Sequence, residues 1–92
     1  MLLTQIVRIP AEGVRDFQQF ESQVLPLLPR YGGELVQRVR GREGRFEVHL
    51  VSFPSQHALD AYLCDPERVA ALPLLESSGA ETELVEVLDV TT

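Results

Sequence analysis

The stretch RYGGELVQRVRGREGRFEVHLVSFPS, residues 30–55, decides how this chain is read. Within it, ELVQRVR and RFEVHLVSF alternate in polarity with a period of two, which marks strands with two unlike faces. GREG between them reads as the turn of a hairpin. With Arg40 opposite Arg45, Val39 faces Phe46, Gln37 faces Val48 and Leu35 faces Leu50. That face is almost wholly apolar and reads as the core face. The other pairs Arg38 with Glu47 and Val36 with His49, and ends at Val51. A mixed face of this kind suits a solvated sheet or the lining of a pocket.

The flanking segments complete a simple pattern. Residues 2–9, LLTQIVRI, are β-branched and apolar and stop at Pro10, so they form a strand. Phe17, Phe20, Val24, Leu27 and Tyr31 then recur at spacings of three and four, one face of a helix, with Asp16, Glu21 and the glutamines opposite. Pro26 removes a backbone donor and clashes with the preceding turn, so the helix loosens there; Gly32 and Gly33 end it. Ser55 is placed to cap a second helix whose inward stripe is Ala58, Leu59, Tyr62 and Leu63. Asp65 and Pro66 restart the chain as N-cap and first helical residue. Val69, Leu72 and Leu75 extend the apolar stripe, interrupted by Pro73. SSGA reads as a loop, and ETELVEVLDV as the last strand.

The order β-α-β-β-α-β, with right-handed crossovers, gives an α+β ferredoxin-like fold: one four-stranded antiparallel sheet with the helices on one face. The 92 residues form a single domain, 1–92, since half of so short a chain lacks an adequate core. The helices leave one side of the sheet uncovered. That side is expected to carry Val36, Val51 and Phe53, a patch that a second copy of the chain would cover. Two such sheets make a closed dimeric α/β barrel, whose shared interior would hold Arg38, Glu47 and His49.

Charge and composition narrow the partners. A net charge of −6 excludes nucleic acid as the expected partner, because phosphate binding needs a cationic stripe. All eight basic residues are arginine, and those at 38, 40, 42 and 45 are interleaved with Glu43 and Glu47. The single cysteine, Cys64, excludes an internal disulfide and a multi-cysteine metal site, and reads as a buried or half-buried inert thiol. No apolar run approaches the roughly 18 residues that span a bilayer, so no membrane partner and a cytoplasmic location are expected.

VLPLLPRYGGELVQRVRG and FEVHLVSFPSQHALDAYLCDPERVAALPLLESS together resemble the small bacterial proteins grouped as the domain of unknown function 1330 family. Pro26 with Tyr31-Gly32-Gly33, and Phe53-Pro54-Ser55 leading into the second helix, carry most of that likeness. The resemblance implies a ferredoxin-like fold and a homodimer of the dimeric α/β-barrel superfamily. It implies no particular activity. Wider relatives include cofactor-free monooxygenases, isomerases and dehydratases that act on small aromatic or polyketide-like molecules.

Among side chains with chemistry, His49 is the leading candidate for a general base, with Glu47 as the group that orients it. The two lie about 7 Å apart along one strand, so contact is expected through long side chains or water. Arg38 reads as a cross-strand ion pair with Glu47 or as an anchor for a carboxylate ligand. Tyr31 is placed at a pocket rim or in the core. His57, in the first turn of the second helix, reads as exposed and incidental. No cofactor and no metal are expected. The sequence thus points to a homodimer that binds a small organic or carboxylate ligand. The alternatives are a cofactor-independent enzyme, of monooxygenase, isomerase or dehydratase type, and a structural or regulatory interaction dimer.

Overall fold

A computed structural model describes residues 1–90. Four strands, β1 (Leu2–Arg8), β2 (Glu34–Arg40), β3 (Phe46–Ser52) and β4 (Glu81–Val87), pair antiparallel in the order β2-β3-β1-β4. Three α-helices, α1 (Val14–Val24), α2 (Gln56–Leu63) and α3 (Pro66–Ser78), cover one face. This is the ferredoxin-like α+β arrangement that the element order implies.

Local chemistry sets the boundaries. Past Val24 the chain tightens from α-helix to a 3₁₀ turn over Leu25–Tyr31, where Pro26 and Pro29 cannot donate to an α-helical ladder. Gly32 ends it at φ 69°, and Pro54 packs where a side chain at Gly32 would project. Ser55 accepts from the Ala58 amide at 3.1 Å and caps α2. Asp65 accepts from the amides of Glu67 and Arg68 at 2.8 and 3.3 Å and caps α3, with Pro66 at its first position. Pro73 is accommodated inside α3, which runs on through Ser78 to Gly79. The residues this helix buries are Ala71 and Ser78, while Val69 and Leu72 face outward, contrary to the stripe expected from sequence. The last strand stops at Val87, and Leu88 and Val90 are exposed beyond it.

The hairpin register differs by two residues from the simplest alignment. Gly41 joins the ladder by donating to the Phe46 carbonyl at 2.8 Å, so the loop is residues 42–45. Arg40 therefore opposes Glu47, Val39 opposes Val48 and Arg38 opposes His49; a bulge at Val36 then brings Leu35 opposite Val51. A shift of two keeps residues 37–40 on their expected face, while the bulge turns Leu35 to the side of Val51, against the core.

Which face lies beneath the helices is the larger correction. Leu3, Val7, Glu47, His49 and Val51 point toward the helices and are buried. There they meet Phe17, Phe20 and Val24 of α1, Leu27 and Leu28 of the 3₁₀ turn, and Leu59 and Tyr62 of α2. The opposite face carries Leu2, Ile6, Val39, Phe46, Val48, Leu50, Val85 and Val87, with Thr4, Arg8, Gln37, Glu81 and Glu83 among them, and none of the described residues covers it. The polarity pattern separated the two faces correctly but assigned them in reverse. Both faces are apolar enough to be buried, and the inward one accepts Glu47 and His49 because neighbouring side chains satisfy them.

Gly13 supplies a sharp test of the helix packing. A Cβ there would stand 1.8 Å from the Ser78 carbonyl oxygen at the end of α3. Gly13→Ala is expected to lower unfolding stability by about 1–3 kcal/mol, the usual range for overpacking. Urea denaturation measures it, and an unchanged midpoint would contradict the close approach.

Candidate functional site

Glu47 and His49 occupy alternate positions on β3, so both side chains point under the helices. Glu47 has no exposure to water. Its Oε1 accepts from Arg38 Nε at 2.8 Å, and its Oε2 accepts from Arg40 Nε at 2.8 Å. His49 Nε2 lies 2.8 Å from the same Oε1. The two side chains therefore lean together and touch directly, without the water that their spacing along the strand suggested. Burial pushes the Glu47 carboxyl up, but hydrogen bonds from Arg38, His49 and Arg40 outweigh it and hold the group below the usual range.

An ionised carboxylate only accepts hydrogen bonds, so His49 Nε2 carries a proton and donates it to Glu47. Burial holds the imidazole below its ordinary pKa, against the pull of Glu47, so the ring is neutral at neutral pH. Nδ1 then bears a lone pair. It faces Glu21 Oε2 of α1 at 3.8 Å.

Glu21 is the residue that the sequence reading placed on the wrong side of its helix. It is buried, and burial raises its carboxyl to about 7. The signal was available: 17, 20, 21 and 24 fall on one helical stripe, and only the charge of Glu21 argued against it. Arg68 of α3 was also missed as a site residue. Its guanidinium lies over the Tyr62 ring at 5.2 Å and the Phe20 ring at 5.9 Å, and its Nε is buried without a hydrogen-bond partner.

These groups surround a cavity of about 90 Å³ between sheet and helices, lined by Gln5, Phe20, Glu21, His49, Tyr62 and Arg68 among others. Leu63 and Leu84, both partly exposed, stand at its edge. Tyr62 donates its hydroxyl hydrogen to the Val24 carbonyl at 3.2 Å, which ties α2 to α1 beside the cavity.

The other expected site residues lie elsewhere. Arg38 binds Glu47 from the adjacent strand and does not line the cavity. Tyr31 is also outside its lining; its hydroxyl donates to Asp65, and its ring meets Tyr62 edge-on at 6.2 Å. His57 is exposed. Cys64 is exposed as well, where a buried thiol was expected, because it falls in the gap between α2 and α3. Among the described residues no three His, Cys, Asp or Glu side chains are grouped to hold a metal ion, and no helix is long and apolar enough to cross a membrane.

No protein-family model matches the chain, and no curated protein matches it in sequence. Solved structures do match in fold. An antibiotic biosynthesis monooxygenase superposes with a TM-score of 0.71 at 13% identity, covering 97% of this chain and 100% of that one. A dimeric ferredoxin-like protein of unknown function from Jannaschia sp. gives 0.65 at 19% identity, covering 95% and 100%. SnoaB, a cofactor-independent oxygenase from Streptomyces nogalater, gives 0.69 at 15% identity, covering 97% and 93%. The chain therefore has the fold of dimeric ferredoxin-like and monooxygenase-like proteins. The narrower likeness to the domain of unknown function 1330 family has no matching family model behind it.

Glu21 and Glu47 give opposite pH signatures. The Glu21 pKa rises from 4.5 unfolded to about 7 folded, so its contribution to stability is full below pH 4.5 and is lost as pH climbs through 7. The loss amounts to roughly 3 kcal/mol, because each tenfold change in proton affinity between the two states is worth about 1.4 kcal/mol. Glu47 is lowered on folding, so its contribution is present above its unfolded value and is lost in acid. Chemical denaturation of Glu21→Gln from about pH 3 to pH 8 should remove the decline toward neutral pH and leave the acid loss below pH 4.5. A parallel pH profile for the two proteins would contradict the buried, raised carboxyl.

Proposed function

We propose that this protein is a homodimer of the α/β-barrel type in which each subunit binds a small organic or carboxylate ligand in the cavity between its sheet and its helices. The observation that carries this reading is the cavity itself, walled by Glu21, His49 and Arg68 and open at Leu63 and Leu84. Burying ionisable groups around an internal hollow is costly, and such clusters concentrate at sites that handle ligands. A dimer that served only as scaffold would be expected to fill that space with apolar side chains.

The dimer follows from the bare sheet face. Val39, Phe46 and Val85 are 47, 38 and 41% exposed there, in one surface with Ile6, Val48 and Leu50. A contiguous apolar patch of this kind marks an interface. The fold neighbour from Jannaschia sp. is described as dimeric, which supports the same reading. In this arrangement the sheet–sheet interface is mainly apolar, with Thr4, Arg8, Gln37, Glu81 and Glu83 among its residues, and the Glu21–His49–Glu47 group lies in each subunit's own helix–sheet layer.

One observation favours a second reading, a cofactor-independent enzyme. A neutral histidine held by Glu47 through Nε2, with a free Nδ1 toward the cavity, is a general base oriented by a carboxylate. His49 would be the base and Glu47 the orienting residue, while Arg38 would hold Glu47 in place and not the ligand.

Light scattering at micromolar concentration should give about twice the 10.3 kDa chain mass. Val48→Asp, in the middle of the bare face, should shift the population toward single chains; a wild-type monomer would refute the dimer. For the ligand, amide and side-chain NMR during a screen of small organic acids should move the signals of Glu21, His49 and Arg68. A screen in which no compound perturbs them would remove the ligand reading.

A further inference from the structure

The cavity has a defined size and a defined polarity, and together they narrow what it accepts. Liquid water occupies about 30 Å³ per molecule and an apolar cavity of about 150 Å³ holds benzene, so a 90 Å³ cavity encloses about three or four non-hydrogen atoms, and a slightly larger ligand extends toward its open edge at Leu63 and Leu84. An aromatic ring or a polyketide does not fit within it. The groove of about 530 Å³ beside Arg8, Arg45, Glu43 and Glu81 is larger, but it is open and its charges balance.

Two features inside the cavity lack partners within the chain. Arg68 Nε is buried and unbonded, which leaves the desolvation of a cationic donor uncompensated. The guanidinium carbon lies over the Phe20 and Tyr62 rings at 5.9 and 5.2 Å, and Nε remains for a ligand. A planar fork of donors in that setting matches a carboxylate. Across the cavity, Glu21 Oε2 and His49 Nδ1 stand 3.8 Å apart, too far for a mutual hydrogen bond. An oxygen placed to one side of that line reaches both at about 2.8 Å. A protonated Glu21 donates to it, and a hydroxyl there donates to Nδ1.

We propose that the cavity binds a two- or three-carbon carboxylate bearing a hydroxyl group, with the carboxylate on Arg68 and the hydroxyl between Glu21 and His49. This rests on the ligand-cavity reading and supplies its substrate class. Glycolate, with five non-hydrogen atoms, is the simplest member, lactate tests the upper limit of size, and pyruvate, which has no hydroxyl proton for Nδ1, should bind more weakly than lactate.

Charge makes the binding pH-dependent. The groups acting on Glu21 are Arg38 and Arg40 from β2, Glu47 and His49 from β3, Tyr62 from α2 and Arg68 from α3. Arg38 and Arg40 are committed to Glu47, which leaves Arg68 as the cation for the ligand. An ionised Glu21 repels the carboxylate and a protonated one admits it, so the binding-competent form is the one that dominates below pH 7. Between pH 6 and pH 8 the competent fraction falls from about 0.9 to about 0.1, which weakens apparent affinity about tenfold.

Calorimetric titration of the dimeric protein with glycolate, lactate, pyruvate and benzoate at pH 6 and pH 8 tests this. Glycolate should bind about tenfold more tightly at pH 6, with proton uptake at neutral pH, and benzoate should not bind. Glu21→Gln should bind glycolate with little pH dependence. Arg68→Met, which keeps the stem against Phe20 and Tyr62, should lose binding while circular dichroism shows a folded chain. Equal affinity at the two pH values, a Glu21→Gln profile matching wild type, or full binding by folded Arg68→Met would each overturn the assignment. Should Arg68→Met not fold, the Glu21→Gln profile decides alone. Failure of all the short acids while another compound shifts the His49 signals would overturn this substrate class and leave the ligand cavity standing. Failure of every small molecule would remove both.

Discussion

A carboxylate with no access to water sits on a central strand of the sheet, and much else follows from keeping it ionised. Glu47 receives Arg38 and Arg40 from β2 and His49 from its own strand. Buried charges persist only when paired and hydrogen-bonded, and removing one partner of such a group typically costs about 3–5 kcal/mol. Here the partners come from an edge strand whose arginines bury their donors inward and keep part of each side chain in water, 30 and 42% exposed. With Glu47 satisfied, the polar face of the hairpin can lie under the helices. Its apolar face is then released for a surface that another chain can cover.

The same device fixes the state of His49. Holding Nε2–H on Glu47 selects one tautomer and turns the basic nitrogen toward Glu21 and the cavity. From Arg40 through Glu47 and His49 to Glu21 the polar groups form a line from the sheet edge to the interior, alternating cation, anion, neutral base and weak acid. Glu47 lies outside the cavity lining and is offset by two arginines, so the charge of the cavity is set by Glu21, about half protonated at neutral pH, and by Arg68. Fold likeness to oxygenases and to proteins of unknown function is compatible with several chemistries, so these side chains, and not the fold, carry the functional reading.

Much of the architecture was legible in the sequence. Strand alternation, the stripe of α1, Ser55 and Asp65 as caps, the loosening at Pro26 and the stop at Gly32 all depend on neighbours within a few residues, whereas Leu63, Val69 and Leu72, expected inward, are exposed. The helix-facing side of the sheet was not legible, because period two distinguishes two faces without saying which lies inward. Hydrophobicity favoured the wrong one: Phe46, Val48 and Leu50 look like core, and they are surface in the single chain. The register slipped by two because Gly41 was assigned to the turn and belongs to the ladder. Glu21 and Arg68 were hidden by their charge, since long-range partners decide whether a charged residue on an apolar stripe turns in or out. His49 and Glu47 were identified as a pair, but their direct bond depends on burial that no local pattern shows.

Nitrogen-15 NMR of the histidine rings, followed through neutral pH, reaches the Glu47–His49 unit most directly. His49 should appear as the neutral Nε2–H tautomer, with a ring proton protected from solvent exchange and that protection lost on Glu47→Gln, while the ring protons of exposed His57 exchange freely. An Nδ1–H tautomer, an imidazolium at neutral pH or a rapidly exchanging ring proton would contradict a buried carboxylate that locks the histidine.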